Sequence, residues 1–86
     1  MEYDAAADWY EQRRTSLGGD FVNRVHNVLM RIAANPKYYR KVYQDVRKAV
    51  VARFPYVVLY QEEPTEVLVI SVFHSSRDPS IWQARV

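Results

Sequence analysis

Two apolar segments near the end of the chain, Tyr56 to Gln61 and Glu66 to His74, constrain the fold most. Their hydrophobic residues follow one another too closely for a single helical stripe, and the polar turn Glu62-Glu63-Pro64-Thr65 separates them. The spacing therefore predicts two hairpin strands, the second apolar on both faces and hence central in its sheet. That second strand runs directly into His74, Arg77 and Trp82, so an apolar sheet delivers polar groups to its own end. A further strand is expected from Val46, where the period becomes two: Val46, Val50, Ala52 and Phe54 share one face, and Arg47, Ala49, Val51 and Arg53 share the other. Lys48 interrupts the first set, and Pro55 ends the strand.

The first third has the period of a helix. Ala5, Ala6, Trp9, Tyr10 and Arg13 place a helix at about residues 3 to 16, stopped at Gly18-Gly19, with Asp20 as the cap of the next helix. Phe21, Val25, Val28, Leu29 and Ile32 form one apolar stripe on that second helix, which ends at Asn35-Pro36 because a residue before proline is pushed out of the helical region. A short connection makes the two an antiparallel hairpin. Asp78-Pro79 reads as cap and first position of a short helical turn over Ile81 to Arg85. The expected fold is α+β, a single domain over residues 1–86 with the helical hairpin on one face of a small antiparallel sheet.

With 86 residues and no cysteine, stability rests on hydrophobic packing, without disulfides or thiolate metal sites. Two histidines far apart make a poor metal set, and no glycine-rich phosphate loop is present, so neither metal nor cofactor is expected. No segment has the roughly 20 apolar residues that a membrane span needs, and no basic stretch leads into an apolar run at the N-terminus; the expectation is a cytoplasmic protein with no membrane partner. The net charge of +2 conceals an asymmetry. Residues 1 to 12 carry Glu2, Asp4, Asp8 and Glu11 and no base, whereas residues 13 to 53 carry ten basic residues against Asp20 and Asp45, a net of +8. Such a block attracts an acidic protein or a nucleic-acid backbone, or is simply the solvated side of its elements.

An ordered set of residues carries a family resemblance. Ala7-Asp8-Trp9-Tyr10-Glu11, Leu17-Gly18, Phe21, Ile32 to Pro36, Arg47, Arg53-Phe54-Pro55-Tyr56, and His74 with Arg77-Asp78-Pro79 and Trp82 resemble the RelE/ParE superfamily of toxins from bacterial type II toxin–antitoxin (plasmid stabilisation) systems. The resemblance covers nearly the whole chain and implies a toxin neutralised by a cognate antitoxin encoded beside it. Family members usually open with a strand, whereas this chain begins at Met1-Glu2-Tyr3, already at the helix. The expectation is a truncated or misplaced start, with the open sheet edge completed by a second copy or an antitoxin segment, in a homodimer or a toxin–antitoxin hetero-oligomer.

The superfamily divides by target. ParE-like members poison DNA gyrase and need a recognition surface, for which Arg53, Arg77, Trp82 and Arg85 are the candidates. RelE-like members cut mRNA in the ribosome, which requires proton transfer and cations around the phosphorane. For that chemistry the catalytic candidates are His74 as acid or base, with Arg47, Arg53 and Arg77 as clamps gathered at one end of the sheet. The RelE-like pattern also has several lysines on the second strand and a tyrosine near the C-terminus; here Lys48 stands alone and Trp82 takes the other place. The ParE-like reading is the first choice, with the ribonuclease and a non-toxic antitoxin-binding member as alternatives. Trp9, Arg13, Tyr38, Tyr39 and Tyr43 are the candidate antitoxin surface, in a tyrosine-rich chain. Plainer roles stand beside these: His74 bonded to nearby backbone, Arg77 paired with a carboxylate, Trp82 a core anchor under the hairpin, and His26 structural.

Overall fold

The computed structural model describes residues 2–86. Helix α1 spans Glu2–Arg13 and α2 spans Leu17–Ala34; strands β1 (Lys41–Tyr43), β2 (Val46–Val50), β3 (Tyr56–Glu62) and β4 (Val67–His74) follow, and a short α3 (Ser80–Gln83) closes the order. The strands form one antiparallel sheet in the order β1-β2-β3-β4, so the expected α+β architecture holds.

Three details differ from the sequence reading. The glycines do not separate the helices: the chain reverses at Thr15-Ser16, with Ser16 in the left-handed region at φ 75°, and Gly18 and Gly19 lie in the first turn of α2. Gly18 is there for close approach, since a Cβ at that position would sit 2.5 Å from the Ala7 carbonyl oxygen across the helix pair. Nor does Asp20 cap α2. The Glu11 carboxylate does so from α1, accepting the Ser16 amide at 2.9 Å and the Gly18 amide at 3.0 Å. These are donors that a helix start leaves open. Asp20 pairs instead with Arg14 at 3.6 Å.

The second difference is strand order. β4, expected at the centre, is an edge strand of the described sheet, and β3 is flanked on both sides. Four consecutive residues of β3, Val57 to Tyr60, are buried, whereas Leu68 and Val69 of β4 are exposed. A register shift between Leu59 and Tyr60 of β3 puts a bulge at Ile70 of β4. The third is β1, which the sequence reading left unassigned, and the end of β2, which comes at Val50 rather than Pro55.

Both sheet faces are buried, by different elements. Toward the helices, Phe21, Val25, Val28 and Ile32 pack on Ala49, Val51, Val58 and Tyr60, as the α2 stripe predicts. On the far face Val46, Val57, Leu59 and Phe73 form a second small core closed by Trp82 of α3. Trp82 is a core anchor as expected, but across the sheet from the hairpin rather than beneath it. Asp78 starts α3: its carboxylate accepts the Ser80 amide at 3.0 Å, which together with the Ser80 side chain holds its pKa below the ordinary carboxylate value.

Candidate functional site

The four residues expected to gather for catalysis occupy separate places. Arg47 lies on the helix-facing side of β2, opposite Tyr60. Its Nη1 donates to the carbonyl oxygens of Tyr39 at 2.5 Å and Lys37 at 3.4 Å, and the Tyr60 hydroxyl donates to the Pro36 carbonyl at 2.6 Å. Together with the Lys37–Glu62 ion pair at 3.1 Å, these bonds fasten the segment after α2 to the sheet. Burial raises the Tyr60 pKa, an effect that nearby Arg47 opposes.

His74 pairs with Tyr56 on β3, four residues along that strand from the Tyr60 row. At a rise of about 3.3 Å per residue, the two rows are about 13 Å apart along the sheet, before the offset between strands is added. The His74 ring meets Tyr56 edge-on at 5.0 Å, and its Nδ1 accepts the Ser76 amide at 3.1 Å while lying 2.8 Å from the Ser76 hydroxyl oxygen. An accepting Nδ1 leaves the neutral ring its proton on Nε2. Beside it, Ala5, Ala6, Trp9, Tyr10, Pro55 and Tyr56 complete an apolar recess.

Arg77 turns to the opposite face. Its guanidinium lies 5.4 Å from the Phe73 ring centroid, beside a cleft of about 220 Å³ that also touches Lys48 and Trp82. Trp82 itself is 5% exposed and shapes this surface from below rather than presenting its ring to a target. Arg85, just past α3, is exposed.

Arg53 occupies the β2–β3 turn with φ 71°, a left-handed conformation unusual for a residue with a Cβ. It borders a cleft of about 690 Å³ between the end of α1, the start of α2 and this turn. Arg14, Arg24, Asn23 and Asn27 line the same cleft, and sequence reasoning missed all four. The signal was present: Asp20, Asn23, Arg24 and Asn27 recur at i, i+3, i+4 and i+7, a polar face beside the apolar stripe.

The candidate antitoxin residues fall into three groups. Trp9 is half exposed on α1 with the Arg13 guanidinium 4.4 Å over its ring. Tyr38 and Tyr39 meet edge-on after α2, beside a groove shared with Arg31, Lys48 and the exposed Val50. Tyr43 packs edge-on against Trp82 on the far face. His26, expected to be structural, is exposed on α2. Among the described residues no cluster of His, Cys, Asp and Glu is arranged to hold a metal ion, and no helix is long and apolar enough to cross a membrane.

Two N-terminal helices on a four-strand antiparallel sheet, with a short C-terminal helix, are an α+β architecture consistent with the RelE/ParE fold. The family model described as "ParE toxin of type II toxin-antitoxin system, parDE" matches residues 2–79. This chain belongs to that family of toxins, which implies a cognate antitoxin as its partner. Neither a curated protein nor a solved structure gives a match to this chain.

Proposed function

We propose that this toxin acts in the cytoplasm by binding and poisoning DNA gyrase, with no cleavage chemistry of its own. The supporting observation is the dispersal of Arg47, His74 and Arg77. One is committed to main-chain carbonyls on the helix side, one is bonded to its own turn, and one lies across the sheet over Phe73. RNA cleavage through the 2′-hydroxyl needs a proton acceptor, a proton donor and cations within hydrogen-bond reach of one phosphate. A binding toxin needs only a surface, and Arg53, Arg77 and Arg85 offer guanidinium groups for it, with Trp82 holding the floor under Arg77.

The antitoxin reading has its own support. Trp9 beside Arg13, and Tyr38 with the partly buried Tyr39 beside Arg31 and Lys48, put exposed aromatic surface next to positive charge. They suit an antitoxin segment with apolar anchors and acidic flanks, whose extended portion adds to the open edge of β4. Tyr43 contributes through its packing on Trp82.

The deciding experiment is pulse labelling of DNA and protein synthesis in bacteria just after this chain is induced without antitoxin. DNA synthesis failing first, together with inhibition of purified gyrase, is the expected result. Protein synthesis failing first points to mRNA cleavage and overturns the gyrase reading. Unimpaired synthesis with abundant folded chain identifies a non-toxic antitoxin-binding member.

A further inference from the structure

The gyrase reading uses Arg53 but leaves the rest of the cleft beside it unexplained. It draws one arginine from each of three elements: Arg14 after α1, Arg24 from the second turn of α2 and Arg53 from the β2–β3 turn. One carboxylate, Asp20, faces them, and it pairs with Arg14 alone. Among the described residues, neither Arg24 nor Arg53 has a carboxylate within ion-pair distance. Arg24 is only partly exposed, so its side chain lies along the cleft wall rather than out in solvent. Arg53 is held in a left-handed conformation, of the kind that persists where the surroundings fix a functional side chain.

The chemistry of the walls narrows the ligand. Asn23 and Asn27 add amide donors and acceptors, while Tyr10 and Phe54, both half buried, supply aromatic edges. No large exposed apolar side chain lines the cleft, so it lacks the anchor around which peptide interfaces are usually built. Guanidinium forks match phosphate oxygens two at a time. The start of α2 contributes little, because Glu11 already takes the Ser16 and Gly18 amides. We propose that this cleft is a binding site for the phosphate of a nucleotide, free or within a single strand, held by Arg14, Arg24 and Arg53.

The test uses the purified chain by itself, so its outcome is independent of gyrase. Binding of inorganic pyrophosphate, of 5′-AMP and of a single-stranded dT12 oligonucleotide is measured by calorimetry and by the shift in thermal midpoint. All three raise the midpoint if a free phosphate suffices, whereas dT12 alone does so if the site needs a strand. Arg24→Gln and Arg53→Gln are each expected to weaken binding about tenfold, the order expected for one charge-assisted pair. Lys41→Gln, whose ammonium pairs with Asp45 at the far edge of the sheet, is expected to change it less than about twofold. Neutralising one phosphate gives a log–log salt slope for dT12 of about −0.7. If Arg24→Gln does not fold, Arg53→Gln decides, since Arg53 is exposed and its removal opens no core. The proposal fails if no probe raises the midpoint, if Lys41→Gln weakens binding as much as Arg53→Gln, or if a hexaglutamate peptide binds as tightly as dT12.

Discussion

Arg47 Nη1 donates to the Tyr39 carbonyl oxygen at 2.5 Å, tying the middle of β2 to the segment between α2 and β1. The guanidinium also reaches the Lys37 carbonyl at 3.4 Å, while its Nε is buried without a partner among the described residues. The residue is part of the scaffold. Arg47→Ala is expected to cost about 1.5–3 kcal/mol in urea unfolding, the range for a charge-assisted hydrogen bond. Its effect on toxicity should track the folded fraction. Full stability together with lost toxicity would instead place Arg47 in the machinery.

His74 offers the sharpest distinction between binding and cleavage. Loss of a proton-transfer group typically costs about 10²–10⁴ in rate. For a binding toxin, His74→Ala removes the Ser76 contacts and an edge-on ring pair with Tyr56, and growth inhibition should weaken only slightly. Titrating the inducer against growth in the wild type and the variant measures this directly.

The two glycines of α2 should respond oppositely to alanine. At Gly18 the new methyl meets the Ala7 carbonyl and the Glu11 side chain, so the helix pair must separate, at a net cost of about 1–3 kcal/mol. At Gly19 nothing lies within 4 Å, and the lower backbone entropy of alanine should stabilise by about 0.5–1 kcal/mol. Chemical denaturation of both variants checks the pair.

Trp82→Ala empties the centre of the far-face core, where the indole packs with Val46, Val57, Leu59 and Phe73. A loss of about 3–5 kcal/mol is expected, as for other large-to-small core substitutions. Because Tyr43 and the Arg77 cleft rest on the same ring, weaker target or antitoxin binding should accompany it, measured as a change in affinity on the folded fraction.

Stability should also vary with pH at both extremes. The Tyr60 pKa is raised by burial in the fold, so its contribution is complete below the unfolded value near 10 and is lost as pH rises through the folded one. Tyr60→Phe should flatten this alkaline decline, leaving the contributions of Tyr3 and Tyr10, whose pKa values are also raised by burial. The Asp78 pKa is lowered by its bonds to Ser80. Its contribution is therefore complete above the unfolded value of 3.8 and is lost as pH falls through the folded one. Asp78→Asn should remove that part of the acid decline, read from tryptophan fluorescence during acid titration.

Periodicity in the sequence determined the two helices, the strands from Tyr56 to Glu62 and Val67 to His74, and the α2 stripe of Phe21, Val25, Val28 and Ile32, because each is a local pattern imposed by one buried face. The ordered residues from Ala7 to Trp82 likewise carried the family, which the match over residues 2–79 bears out. Tertiary structure decided what depends on neighbours distant in the chain. An apolar strand reads alike at an edge or a centre, and pairing alone put β4 at the edge. The roles of Gly18 and Glu11 required α1 to lie across α2. The alternation of β2 puts Arg47 in one row of the sheet, but does not show what covers that row. Folding placed Arg47 under the Tyr39 carbonyl, Arg77 across the sheet from His74, and Arg14, Arg24 and Arg53 around one cleft, since side chains from separate elements meet only when the sheet register and helix packing bring their backbones together.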